Sequence, residues 1–180
     1  MGHEVLDFWF DPSSRCHWFE VSQAFDEEVR NRLLGRYHEA AAGRLGNWCE
    51  SPGDALALCI LLDQVPRNVF RGNAGAFATD PQARAVARQI LGKGFDRALP
   101  TDDHRMFCYM PFEHSENIED QLLSVSLFAE RIADQDTHEC ARQHLDTIKR
   151  FGRFPHRNEI LGRVSTQKEL EFLRSPGSSF

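Results

Sequence analysis

The sequence predicts an all-α protein of about six or seven helices. Apolar residues recur at the three-to-four-residue spacing of helices, strand-like alternation is nearly absent, and serine or threonine before proline marks several helix starts. The chain has 180 residues and is 41% hydrophobic, which suits one domain. We therefore expect a single helical domain over residues 1–180, with an aromatic segment at 1–20 and a final helix and tail at 165–180.

The first long helix is predicted from about Phe25 to near Gly43. Its apolar positions follow helical spacing, and they are Phe25, Val29, Leu33, Tyr37, Ala40 and Ala41. A second helix begins at Ser51 and Pro52, because serine caps free amides and proline suits the first helical position. Apolar residues cover most of its circumference, so this helix should be central and buried.

A third helix is predicted at the sequence TDPQARAVARQILGKG. Thr79 or Asp80 is the expected cap, and Pro81 takes the first helical position. Gly92 or Gly94 is the expected stop, because glycine readily adopts the backbone conformation that ends helices.

Three further helices are predicted in the C-terminal part. One begins near Glu116 with Ser115 as its cap, and its expected buried residues are Ile118, Leu122, Val125 and Phe128. The next begins near Thr137, and its expected core positions are Cys140, His144, Leu145 and Ile148. Thr166 with Glu169 three residues on forms a capping box, which predicts the final helix.

Charge and composition exclude several classes of protein. The net charge is −6, whereas general nucleic-acid binding needs a broad basic face. There is no signal-peptide pattern and no 18-residue apolar run, so we expect no membrane partner. Five scattered cysteines without a paired spacing indicate reduced thiols and a cytoplasmic location. The oligomeric state is open.

A first polar group lies at the end of the central helix and comprises Asp63, Arg67, Asn68 and Arg71. Because proline displaces the preceding residue from helical geometry, Pro66 predicts a bend that projects Arg67 and Asn68. These side chains either form an internal ion pair and stabilise the helix end or bind an anion.

A second group surrounds Pro111, which we expect to interrupt helical structure. Tyr109, Glu113 and His114 are then placed on an irregular segment. A carboxylate beside a histidine is a candidate for acid-base catalysis. The same residues could instead cap helices and bridge neighbouring elements.

A third group lies between Lys149 and Arg163, where five basic residues stand against one acid, Glu159. Its candidate ligand-binding residues are Arg153, Arg157, Asn158 and Arg163, with His156 as a candidate catalytic group. Either the arginines pair with the acidic segment from Glu113 to Asp120, or they bind an anion. This segment and the one at Pro66 share the pattern Arg-Asn-x-x-x-Gly, which is a possible internal repeat.

No metal or cofactor site is predicted. Glu-x-x-His and His-Glu-x-x-His are absent, so metal binding through Glu113, His114, His144 or His156 would have to be assembled in three dimensions. His104 and Cys108 are four residues apart and could form a thiolate-imidazole pair, although a buried cysteine is usually a small core residue.

Several long strings together resemble the largely bacterial domain-of-unknown-function family 924. They are VLDFWF, LLDQVPRNVFRG, AFATDPQARAVA, FCYMPFEHSENIEDQ and RFGRFPHRNEILGRVST. The resemblance runs from Val5 to about Leu173 and implies an α-α superhelix that is tetratricopeptide-like with degenerate repeats. It supplies no catalytic residues.

Two functional hypotheses follow. In the first, the protein is a binding module whose concave side, lined by the Arg-Asn segments, holds an anionic small molecule or a peptide or protein partner. In the second, it is a small enzyme in which His114 or His156, with Glu113, transfers protons on an anionic substrate.

Overall fold

The structure is a computed structural model, and it describes residues 2–175, 177 and 178. These residues form nine α-helices and no strand, which confirms the all-α class. The helices are α1 His3–Trp9, α2 Pro12–Arg15, α3 Gln23–Ala41, α4 Pro52–Val69, α5 Asp80–Gly92, α6 Asp102–Glu113, α7 Ile118–Arg131, α8 Gln135–Phe151 and α9 Gln167–Leu173. The count exceeds the prediction because α1, α2 and α6 form where the sequence patterns indicate no complete helix.

The chain divides into two compact units. Unit 1 comprises residues 1–71 and 75–111, and unit 2 comprises residues 72–74 and 112–180. The single domain over 1–180 stays a prediction. Three residues of the predicted tail, Pro176, Ser179 and Phe180, lie outside the described residues.

Unit 1 is built around α4. Helices α1, α3 and α5 all pack against α4, and the predicted burial of α4 is confirmed, because its residues from Ala55 to Pro66 are all buried. The predicted cap is also present, since the Ser51 hydroxyl accepts a hydrogen bond from the Asp54 amide at 3.3 Å. Helix α5 begins after Thr79, whose side chain makes no capping bond.

The sequence predicts a bend at Pro66 and an interruption of helical structure at Pro111, but both prolines lie inside helices, α4 and α6. Tyr109 and Glu113 are therefore helical and do not lie on an irregular segment. A proline inside a helix leaves the carbonyl four residues earlier without its amide donor. Here other side chains supply the donor. The Thr79 hydroxyl donates to the Leu62 carbonyl at 2.6 Å, and the Cys59 thiol lies 3.4 Å from the Phe107 carbonyl. Each helix therefore continues through its proline.

In unit 2, α7 packs against α8, and of the α7 residues predicted to be buried Phe128 is buried, whereas Ile118 and Leu122 are not. Ile118 is 41% exposed and Leu122 is 52% exposed. Polar side chains replace them in the interior, and the buried residues are Asp120, Gln121, Ser124, Leu127 and Phe128. The Gln121 amide nitrogen donates to the Glu113 and Ser115 carbonyls at 2.5 and 2.7 Å, so a buried polar anchor sets the helix rotation.

The ends of the unit 2 helices follow local rules with one correction. Asn117, rather than Ser115, caps α7, accepting from the Glu119 amide at 2.8 Å. Helix α8 stops at Gly152, which has φ 69°, a conformation that glycine adopts without steric cost. The predicted capping box of Thr166 and Glu169 is present at α9.

None of the described helices is long and apolar enough to cross a membrane.

Candidate functional site

The first predicted group forms a buried ion-pair network in unit 1. Arg67 binds both oxygens of Asp80, at 2.9 and 3.2 Å, and its Nη1 lies 3.4 Å from Asp63 Oδ1. The same nitrogen donates to the Asp63 carbonyl at 2.6 Å. Asp63 is 1% exposed. The Arg67 guanidinium therefore pairs with two carboxylates of its own chain.

The rest of this group binds Asp26 on α3. Arg71 makes two hydrogen bonds of 2.7 Å to the Asp26 carboxylate, and the Asn68 amide donates to it at 2.8 Å. Burial alone would raise the pKa of Asp26, but these hydrogen bonds outweigh it and lower the pKa below the ordinary value. The geometry favours the internal-pair interpretation for Arg67, Asn68 and Arg71.

Two arginines of the third group also bind carboxylates, both within unit 2. Arg163 makes a two-pronged contact with Glu116, at 2.8 and 2.9 Å, which supports pairing with the acidic segment. Arg153 binds Glu169 instead, at 2.6 and 2.8 Å. These contacts connect the basic stretch to α9 and to Glu116 in the loop before α7.

The Arg153–Glu169 pair predicts an acid-sensitive contribution to stability. The Arg153 hydrogen bonds lower the pKa of Glu169 from 4.5 to about 2. A lowered carboxyl pKa stabilises the fold above the unfolded value and loses that contribution as the pH falls through the folded one. We expect Glu169→Gln to cost about 2 kcal/mol at pH 7, with the difference from wild type vanishing between pH 4.5 and pH 2. Chemical unfolding at several pH values measures it.

The matched control for that prediction is Glu171→Gln on the same helix, because Glu171 is exposed. It should leave the stability unchanged at both ends of the pH range. A Glu169→Gln cost that is equally large at pH 7 and pH 2 would contradict the assigned role of the pair.

The remaining residues of the third group occupy a turn over Pro155–Arg157. Arg157 is 6% exposed, donates to the His114 carbonyl at 3.0 Å and lies 4.5 Å from the Phe154 ring centre. Asn158 binds the Ser165 hydroxyl at 3.0 Å. Burial lowers the pKa of His156 to about 4, with Arg157 adding to the effect. His156 is therefore neutral at pH 7.

The two Arg-Asn segments differ in backbone structure, because Arg67 lies in α4 and Arg157 in a short turn. They also belong to different units. Three hypotheses therefore remain hypotheses. They are a shared concave binding side, an internal repeat, and an enzyme that uses His114 or His156.

A cluster that the sequence analysis does not predict lies within unit 2. Glu113 at the end of α6 and Cys140 and His144 on α8 each place a ligand-type atom within 4.8 Å of the other two. The His144 Nδ1 atom is 3.4 Å from Glu113 Oε1 and 3.7 Å from Cys140 Sγ. The sequence names Glu113 and His144 as possible ligands, but it predicts Cys140 only as a core position, whereas Cys140 is exposed. Cys140 and His144 have the four-residue spacing that places two side chains together on a helix.

Protonation in this cluster does not match a nucleophilic cysteine. Although Cys140 is exposed at its outer edge, partial burial of its thiol raises the pKa to about 12, with Glu113 adding to it. Burial lowers the pKa of His144 to about 3. An activated cysteine needs a thiolate beside a protonated base, and here the thiol and the imidazole are both neutral. Glu113 and Cys140 also approach the same imidazole nitrogen, whereas a catalytic triad uses both nitrogens.

In the predicted pair of His104 and Cys108, the cysteine is likewise not activated as a nucleophile. Cys108 is fully buried, and burial raises its pKa. Its thiol lies 3.5 Å from the His104 carbonyl, while the His104 ring lies 2.7 Å from the Thr101 hydroxyl. Cys108 is therefore a small core residue.

These observations define an all-helical protein that has internal ion pairs and, among the residues that the structure describes, one cluster of metal-ligand side chains. The chain belongs to a family described as bacterial protein of unknown function, DUF924, whose model matches residues 5–177. A solved structure of a protein of unknown function, ATU0120 from Agrobacterium tumefaciens, is similar, with a TM-score of 0.91 and 39% identity over 96% of each chain. None of the curated proteins matches the sequence.

Proposed function

We propose that this protein is a metal-binding helical module that holds a zinc ion between Glu113, Cys140 and His144. One observation carries the proposal: three ligand atoms of different chemical types converge within 4.8 Å. Donors bound tetrahedrally to zinc at about 2.0–2.3 Å lie about 3.3–3.7 Å from one another. The distances of 3.4 and 3.7 Å from the imidazole nitrogen are of this size, and coordination also requires the imidazole to turn away from the Cys140 carbonyl that it now contacts.

The donor set favours zinc over the hard cations. Calcium and magnesium take oxygen ligands, whereas a thiolate with an imidazole and a carboxylate suits a borderline-soft ion. Glu113 and His144 are each 4% exposed, and Cys140 is exposed. The cluster therefore combines buried donors with an edge that reaches solvent.

Metal binding requires a change of tautomer at His144 and the deprotonation of Cys140. The His144 Nδ1 lies 2.9 Å from the Cys140 carbonyl oxygen, so in the free protein this nitrogen carries the proton and donates to that carbonyl. Coordination through Nδ1 needs the tautomer with its proton on Nε2. The Cys140 thiol must also release its proton to the solvent that reaches this exposed residue, because the thiolate is the ligand form.

Cobalt(II), a spectroscopic substitute for zinc, tests the proposal. Titrating the wild-type protein with Co²⁺ should give one saturable site, with the visible bands of tetrahedral cobalt and a thiolate-to-cobalt charge-transfer band. Adding Zn²⁺ should abolish both signals by displacement. Weak visible bands of octahedral cobalt and no charge-transfer band at saturating Co²⁺ would contradict coordination by Cys140.

A further inference from the structure

The proposed zinc site has three protein donors, which leaves one position of a tetrahedral ion for an outside ligand. The described residues place only Glu113, Cys140 and His144 in the group of mutually close ligand atoms. Structural zinc sites usually have four protein ligands, whereas three protein ligands with an exchangeable fourth position are typical of sites that act on a bound molecule. The identity of the fourth ligand is therefore a functional question.

Charge favours an anion at this position. A zinc ion bound to one thiolate, one carboxylate and one neutral imidazole has no net charge. Arg157 adds a positive charge that is held against the Phe154 ring, and the same ring packs against His144. Buried in a setting of low polarity, that charge acts more strongly than it would in water.

Phe154 links the guanidinium to the cluster. Its ring meets His144 edge-on, with 5.6 Å between ring centres, and the Arg157 guanidinium lies 4.5 Å from the centre of the same ring. The hydrogen bond to the His114 carbonyl at 3.0 Å fixes the guanidinium further. The arginine is therefore held in place before any ligand arrives, which reduces the entropy cost of binding.

We propose that the fourth position of the zinc site binds a small oxyanion, a carboxylate or a phosphate, and that Arg157 strengthens its binding. This inference rests on the proposed zinc site. It keeps the anionic ligand of the sequence-based hypothesis and assigns it to Arg157, which packs on the ring of Phe154 next to His144. The guanidinium suits either oxyanion, because its planar donors match both groups.

The experiment uses the cobalt-loaded full chain and three probes. Acetate and inorganic phosphate test the two oxyanions, and acetamide is the neutral counterpart of acetate. We expect saturable changes in the visible cobalt bands with acetate or phosphate and none with acetamide. Arg157→Gln should weaken oxyanion binding by at least about tenfold, since one charge-assisted hydrogen bond is lost, and Arg157→Lys should recover part of that loss.

Each outcome separates the two proposals. Tetrahedral cobalt bands that do not respond to either oxyanion would overturn the oxyanion site while leaving the metal site intact. An equal response in wild type and a folded Arg157→Gln variant would overturn the role of Arg157. Arg142→Gln, on the exposed side of α8, is the matched control and should behave as wild type. Failure to form the thiolate-cobalt band would overturn the metal proposal and this one with it.

Discussion

Cys140→Ser and His144→Ala are each expected to weaken zinc binding by more than about 100-fold, because loss of a mere supporting residue around a metal site already costs 10–100-fold. Each variant removes one of the three donors around the proposed ion. Competition against a chromophoric chelator measures the dissociation constant, and circular dichroism checks that the helices remain. Unchanged zinc affinity in either folded variant would contradict the assignment of that residue.

Two substitutions elsewhere serve as controls for those variants. Cys16 is an exposed thiol in unit 1, so Cys16→Ser removes a thiol that does not belong to the cluster. His38 is an exposed histidine of α3, so His38→Ala removes an imidazole. Both variants should bind zinc as wild type does. Loss of zinc affinity in the controls would indicate nonspecific binding by surface thiols and imidazoles.

Arg67→Ala is expected to destabilise the protein by about 3–5 kcal/mol, because removing one partner of a buried ion pair leaves buried charge behind. Two carboxylates pair with this guanidinium, and the Asp63 and Asp80 side chains are only 1% and 10% exposed. Arg67→Lys should have an intermediate cost, since lysine retains the charge but not the two-pronged geometry. Urea unfolding followed by circular dichroism gives the difference in free energy.

The matched control for Arg67 is Arg44→Ala, in the same unit. Arg44 is exposed in the turn after α3, and its loss should change the stability by less than about 0.5 kcal/mol. If Arg67→Ala costs no more than this control, the ion pair contributes little and the predicted anion-binding role for Arg67 regains support.

The helix starts were predictable because their signals are local. Ser51 before Pro52, and Thr166 with Glu169, place a cap and its partner within three residues of each other. The helix continuations were not predictable, since they depend on distant side chains. Pro66 is accommodated by a donor thirteen positions later, at Thr79, and no rule of local sequence supplies that contact.

The rotation of α7 shows a second limit of sequence patterns. Helical spacing indicates a face with Ile118 and Leu122, whereas the buried face carries Gln121 with its hydrogen bonds to the end of α6. The hydrogen bonds of a buried polar side chain therefore determine which face of α7 is buried, and the apolar pattern does not. Leaving that amide without partners in the interior would cost free energy.

Part of the candidate metal site could be predicted from the sequence. Cys140 and His144 share one face of a helix by spacing alone, but Glu113 joins them only through tertiary structure. Likewise, the basic character of the stretch from Lys149 to Arg163 predicted pairing or anion binding equally well. In the structure Arg163 pairs with Glu116 and Arg153 pairs with Glu169. Arg157 packs instead on Phe154, whose ring lies against His144.

X-ray absorption spectroscopy of the zinc-loaded protein tests the metal site most directly, because it identifies the donor atoms. The proposed site requires one sulfur at about 2.3 Å and nitrogen or oxygen donors at about 2.0–2.2 Å. We predict a fit with one sulfur that disappears in Cys140→Ser and persists in Cys16→Ser. A zinc shell of nitrogen and oxygen alone in the wild-type protein would contradict the site.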